Sequence, residues 1–224
     1  MNILAFDTCF DACSAALQTG APPADRQQYF RFEPMQTGHA ERLIPMIGEL
    51  LAQACITLHD IDQIAVTTGP GTFTGTRICV AAARAFALAH DIPVIPLSPL
   101  ALIARQAAVA NPQTRDLLAA IDARHDEVYI QIFDSMGLDA QSGPQIMTVE
   151  DARGLAQRQQ FAVCGPAAAL LDPEMTSPLA AMHPNARFAL DLLSRNQQPT
   201  RPIVPLYLRA PDAKPSLANV LQKK

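Results

Sequence analysis

The sequence predicts an α/β protein made of two related domains. Three observations carry that expectation: strand-like and helix-like stretches alternate along most of the chain, a glycine-rich turn joins a strand to a long helix at 66–90, and the first half echoes in the second. With 224 residues, 49% of them hydrophobic, the chain can fill one large core or two small ones.

The elements follow in order. NILAFD and ACSAALQ read as two short strands joined by a turn around Thr8 to Asp11, and QYFRF as a third. From 39 to 54, Leu43, Ile47, Leu50, Leu51 and Ala54 fall on one face at helical spacing. Pro45 inside that helix removes a donor, so it should bend the helix or mark its first turn. QIAVTT is a strand, followed by the glycine turn and a helix from about Thr74 to His90. IPVIPL is a further strand, confined to an edge or terminus by Pro93 and Pro96. A helix runs from Ser98 to Asn111, with NPQT as a linker. LLAAID, EVYIQIF and FAVC then repeat the strand pattern, with helices near 150–158 and 166–171. The proline-rich tail, QQPTRPIVPLYLRAPDAKPS, should be extended.

The echo is specific in its order. AFDTCFD and AIDARHD each hold Ala-apolar-Asp-x-x-x-Asp, and VTTGPGT and AVCGPAA each place Gly-Pro between strand and helix. The interval from Asp7 to Gly69 exceeds that from Asp122 to Gly165 by about the length of the 39–54 helix with its flanks. That helix at full length is then not needed by the fold unit and becomes a candidate for function.

Composition excludes several classes. A net charge of −4 argues against a stand-alone nucleic-acid binder. No basic-then-apolar leader opens the chain and no run is long enough to span a membrane, so a soluble cytoplasmic protein is expected. Five cysteines without a CxxC pair read as small core hydrophobes. His59, His90 and His125, each followed by Asp, read as surface or turn residues. The glycine turn lacks the lysine of a Walker loop, and Gly69, Gly71 and Gly75 are one residue too widely spaced for a dinucleotide loop. It is either a tight strand-to-helix turn or a weak anion contact at a helix N-terminus. Asp7 and Asp122 either cap the turns after their strands or hold a metal or phosphate-bound magnesium.

Taken together, ILAFDTCFDACSAAL, HAERLIPMI, GPGTFTGTRI, IPLSPLALIA, AAIDARHDEVY and PLYLRAP resemble the TsaB (YeaZ) family over nearly the whole chain. The resemblance implies two actin-like domains of the acetate kinase, heat-shock, sugar kinase and actin superfamily, which are RNase H-like. These fall at 1–103 and 104–200, with a tail at 201–224. It also implies a non-catalytic paralogue of the metal-bearing TsaD, a glycoprotease-like enzyme of the M22 family. TsaD works with the small ATPase TsaE to install threonylcarbamoyl on the adenosine beside a tRNA anticodon.

The departures from the catalytic paralogue point the same way. Pro99 and Ile103 stand where it carries His-x-x-x-His, and neither can ligate a metal. DTC lacks the glycine of a full phosphate loop, and Cys9 replaces the usual serine of the family. The expected role is a scaffold that binds a TsaD-like partner through His39, Arg42, Leu43, Met46, Ile47 and Leu50 on the first helix. On the second helix the partner set is Ile78, Ala81, Ala82, Ala85 and Ala89. ATP and metal are expected in the partners, a TsaE-like ATPase among them, with none bound by this chain alone. tRNA is expected only through the complex, and a homodimer through the same helices is open. Asp7 and Thr8 are the candidate nucleotide contacts. The alternative is a degenerate sugar-kinase-like enzyme using ATP on Asp7, Asp122 and the glycine turn. A metallopeptidase comes third.

Overall fold

The computed structural model describes residues 1–20, 26–112, 115–173, 179, 182–193 and 202–209. β1 (Ile3–Phe10) and β2 (Ala12–Thr19) form a hairpin, and β3 (Gln27–Pro34) pairs antiparallel with β2. β4 (Gln63–Thr67) and β5 (Val94–Leu97) extend the sheet in parallel from β1, giving the order β3-β2-β1-β4-β5. In the second sheet, β6 (Leu117–Arg124) and β7 (Glu127–Phe133) form the hairpin and β8 (Gln145–Thr148) pairs antiparallel with β7. β9 (Ala162–Cys164) pairs in parallel with β6, so the order β8-β7-β6-β9 repeats the first sheet without its last strand. These are two related α/β units, as the echo predicted, with the paired arrangement that the resemblance implied.

The helices hold matching places. α1 (His39–Gln53) lies between β3 and β4, and α4 (Val149–Gln159) lies between β8 and β9. α1 therefore has a counterpart, at 11 residues against 15, and is not an insertion. The larger reduction is elsewhere: α2 (Phe73–His90) has 18 residues and α5 (Ala168–Leu171), in the matching place, has four. α3 (Pro99–Ala110) links the sheets, and α6 (Ala189–Leu192) follows a short 3₁₀ turn at Ala186–Phe188. β8 and α6 were not anticipated, because QIMT and ALDL are too short to show a period. Pro45 lies in the second turn of α1 rather than its first. Residues 113–114 of the linker, and 201 and 210–224 of the tail, lie outside the described residues; 202–209 carry no helix or strand.

Strand alternation assigns each side chain to a layer. Leu4 and Phe6 of β1 face α1 and α2, packing with Leu43, Met46, Ile47, Leu50, Cys79, Val80 and Ala83. Ile3 and Ala5 face the other way, against Leu102 of α3 and the 186–192 turn. On the second sheet, Leu117, Ala119 and Ile121 meet Leu100, Ile103, Ala104 and Ala107 of α3, while Leu118 and Ala120 meet α4 and α5. α3 thus serves both sheets, with Leu102 turned to one and Ile103 to the other. Four cysteines are buried as expected; Cys55 is exposed.

The echoed Gly-Pro pairs have a backbone cause: Gly69 and Gly165 sit at φ 107° and 102°, where side chains are strained. Gly75 answers to a different constraint. A Cβ there would lie 1.9 Å from the carbonyl oxygen of Thr8, whereas a Cβ on Gly48 of α1 would meet nothing within 4 Å. Gly75→Ala is expected to lose about 1–3 kcal/mol of stability or more by overpacking against backbone. Gly48→Ala is expected to gain up to about 1 kcal/mol through helix propensity. Urea unfolding of the two variants beside the parent checks both signs.

Candidate functional site

The glycine turn closes on the chain itself. Thr72 caps α2, its side chain accepting the Gly75 N–H at 3.1 Å, and its own N–H donates to the Cys9 carbonyl at 2.8 Å. The Thr8 hydroxyl donates to the Gly75 carbonyl at 2.8 Å. The carbonyl oxygens of Thr8 and Cys9 therefore stand where an anion would approach the helix start, and they repel one. Glycine here permits close backbone approach, the tight-turn reading.

Asp7 and Thr8 are fully buried. Asp7 Oδ1 accepts from the Thr67 hydroxyl at 2.5 Å and from the Cys9 N–H at 3.3 Å. Its Oδ2 is buried without a partner. Burial pushes the carboxyl up to about 6, against the opposing pull of the Thr67 and Cys9 hydrogen bonds. Asp122 makes the same turn contact, accepting the Arg124 N–H at 2.7 Å, but is exposed. Each aspartate thus bonds an N–H two residues on, inside its strand, where the hairpin ladder shifts register.

Asp7, Cys9 and Cys79 bring their ligand atoms within 4.8 Å of one another, the grouping among the described residues that could in principle hold a metal. The Thr67 hydroxyl already lies among them, 3.3 Å from Cys9 Sγ and 3.6 Å from Cys79 Sγ. Burial raises the Cys9 thiol well above its usual value, which disfavours the thiolate a metal needs. Pro99 and Ile103 are buried, Ile103 within the α3 core. Neither side chain carries an atom that could ligate a metal.

The expected partner set divides. Leu43, Met46, Ile47 and Leu50 are buried in the first core, so a partner cannot reach them while α1 stays docked. The reason is physical: the widest apolar arc of a helix is the one its own sheet takes. His39 and Arg42 brace α1. His39 Nε2 lies 2.8 Å from the Phe10 carbonyl. Arg42 bonds Glu33 of β3 at 2.7 Å and Glu49 at 2.6 Å, which holds both carboxyls below their usual range.

On α2, Ile78 and Ala82 are half-buried against the core, while Ala81, Ala85 and Ala89 are exposed. Outward with them is Leu88, 89% exposed, and on α1 Ile44, 51% exposed, with Pro45, Gly48 and Ala52. Sequence reasoning missed this second set. Its signal was small and apolar residues on the back of α1, where a surface helix ordinarily carries charge.

Asp7 gives a pH signature. A carboxyl raised from 3.8 to about 6 favours the folded state fully below its unfolded pKa, and that stability is lost as pH rises through about 6. The loss amounts to on the order of 2–3 kcal/mol. Asp7→Asn should flatten this fall between about pH 4 and 6.5, read as the difference between parent and variant in denaturant unfolding. An unchanged difference across that window would show that Asp7 does not titrate so.

The family model described as TsaD, tRNA N6-adenosine threonylcarbamoyltransferase, matches residues 33–214. The chain is 40% identical over 129 residues to the tRNA threonylcarbamoyladenosine biosynthesis protein TsaB of Haemophilus influenzae, which covers 58% of this chain and 52% of that one. Against the Escherichia coli protein of the same name it is 41% identical over 129 residues, covering 58% and 53%. The chain thus spans about half the length of these relatives. The solved structure of YeaZ from Pseudomonas aeruginosa superposes with a TM-score of 0.74 at 28% identity, covering 92% of this chain and 99% of that one. The chain belongs to the TsaB (YeaZ) family, within the wider family that the TsaD model describes.

Proposed function

We propose that the chain is a non-catalytic subunit that binds a TsaD-like catalytic paralogue and supports threonylcarbamoylation of the adenosine next to the tRNA anticodon. Relatives named for threonylcarbamoyladenosine biosynthesis support the pathway. The observation that carries the binding role is the outward face of α1 and α2. Ile44, Gly48 and Ala52 on one helix and Ala81, Ala85, Leu88 and Ala89 on the other leave it apolar and shallow. Small residues let a second helix approach to the low end of the roughly 8–10 Å interaxial range. A TsaE-like ATPase joins the complex, tRNA is held firmly only by the complex, and ATP and metal belong to the partner subunits. In the paralogue's absence the same face suits a second copy of this chain. The reading places the protein in the cytoplasm; no helix among the described residues is long and apolar enough to cross a membrane. A stand-alone ATP-using enzyme is disfavoured by the burial of Asp7 and Thr8 beneath the glycine turn.

The test uses the isolated chain, the paralogue and the ATPase, alone and mixed, each supplied with tRNA, ATP and an activated threonylcarbamoyl donor. Modified tRNA is expected from the mixture and not from this chain alone, which should hold no stoichiometric transition metal. Turnover of ATP by the isolated chain would overturn the reading. Ala85→Glu adds volume and an unpaired charge to the outward face, at a cost of about 3–4 kcal/mol in a closed helix contact. Association should weaken by two to three orders of magnitude, roughly. Its thermal melt should match the parent, since Ala85 is exposed in the free chain. Full pull-down of the paralogue by this variant would exclude the face.

A further inference from the structure

One flank of α2 carries a different chemistry from its outward face. Phe73, Arg77 and Arg84 follow at i, i+4 and i+11, a single stripe along about 16 Å of helix. The segment 202–209 runs beside this stripe in the opposite direction. Arg84 Nε donates to the Ile203 carbonyl at 2.7 Å, and Arg77 Nε donates to the Tyr207 hydroxyl at 2.9 Å. The Leu206 N–H donates to the Thr68 carbonyl at 2.7 Å, fixing the strap over the glycine turn.

Phe73 and Tyr207 stack with centroids 5.6 Å apart, and the Arg77 guanidinium lies 3.5 Å above the Phe73 ring. The strap then reaches the second unit. Arg209 donates to the carbonyls of Ala123 and Arg124 and pairs with Glu127, setting it beside the exposed Arg124 and His125 of the β6–β7 turn.

Two features separate this edge from ordinary packing. The stacked rings remain 50% and 44% exposed. Among the described residues the guanidinium groups of Arg77, Arg84 and Arg124 form no ion pair, unlike those of Arg42 and Arg105, which are paired with Glu33 and Asp191; the Asp122 carboxylate bonds only the backbone N–H of Arg124. Each guanidinium has five donors, so Arg77 and Arg84 keep most of theirs open. In a chain of net charge −4, three arginines without ion pairs beside half-exposed rings are complementary to a polyanion that carries flat groups.

We infer that this edge is a platform for single-stranded RNA, on which Phe73 and Tyr207 stack an unpaired base while Arg77, Arg84 and Arg124 take phosphates. The choice of RNA, and of an anticodon loop as its source, rests on the function proposed above. The Arg77 bond to the Tyr207 hydroxyl pre-orients that ring, which lowers the ordering cost of stacking. Few phosphate contacts make binding by the chain alone weak and salt-sensitive, and the catalytic partner supplies the rest.

The experiment uses the reconstituted mixture with Tyr207→Ala combined with Arg124→Gln, and separately Tyr207→Phe. The double variant should raise KM for tRNA about tenfold with kcat and paralogue pull-down unchanged. Tyr207→Phe keeps the stacking ring but loses the orienting bond from Arg77, and its KM should fall between those of the parent and the double variant. A titration of the isolated chain at low salt with a short anticodon stem–loop RNA should show the log–log salt slope reduced by about one in Arg124→Gln. An unchanged KM overturns the platform, and so does a double variant that loses the paralogue instead, since the edge is then a protein contact. If the parent mixture makes no modified adenosine, the functional reading fails, and the stem–loop titration decides the platform by itself.

Discussion

The contact between the end of β1 and the start of α2 is the constraint on which the rest is arranged. Gly75 lies against the Thr8 carbonyl with no room for a Cβ, and Thr72 and Cys9 share a backbone hydrogen bond across the same gap. Because the helix start is pinned there, the 18 residues of α2 leave the sheet at a fixed angle. The pinning also seals Asp7 and Thr8. Carbonyl oxygens occupy the place where a helix N-terminus would otherwise receive a phosphate, so close packing is gained where ligand access is given up. The strap meets the same turn from outside, through Leu206 and Thr68.

α1 is braced by different forces. Its inner face is hydrophobic, with Leu43, Met46, Ile47 and Leu50 in the first core. Arg42 ties it to β3 through Glu33 and along its own length to Glu49. These carboxylates are largely exposed, so the pairs mostly orient the helix and add little stability. Orientation matters because the outward residues, Ile44, Gly48 and Ala52, have no side chains long enough to correct a misplaced helix.

Most of the fold was legible in the sequence, because period and punctuation agree. Pro93 and Pro96 marked β5 as an edge strand, and the Asp and Gly-Pro echoes marked the two hairpin-led units. What escaped was short or non-local. β8 and α6 span four residues each, too few for a period to emerge. Of the residues expected at a partner contact, Leu43, Met46, Ile47 and Leu50 of α1 lie in the chain's own core, while Ala81, Ala85 and Ala89 of α2 lie at the surface. An apolar arc read from sequence does not say which surface covers it, and the chain's own sheet took the larger side chains. The strap's contact with α2 could not be read at all, since Arg77 and Tyr207 are far apart in sequence and no local period links one to the other.

The comparison of the two units separates what the fold requires from what it has been given. α5 performs the structural task of α2 with four residues, placing Ala168 and Leu171 in the core beneath the second sheet. The additional turns of α2 are therefore not needed to close a unit of this kind. They supply Ala81, Ala85 and Ala89 on one side and carry Arg77 and Arg84 on another, while Cys79, Val80 and Ala83 face inward. At about 100° per residue a helix can hold three such faces only if it is long enough to repeat each of them. Small residues on the inward side, Cys79 and Ala83, bring the helix close to the sheet, and small residues outside bring a neighbour close in turn. The length of α2, more than any single residue on it, distinguishes the first unit from the second.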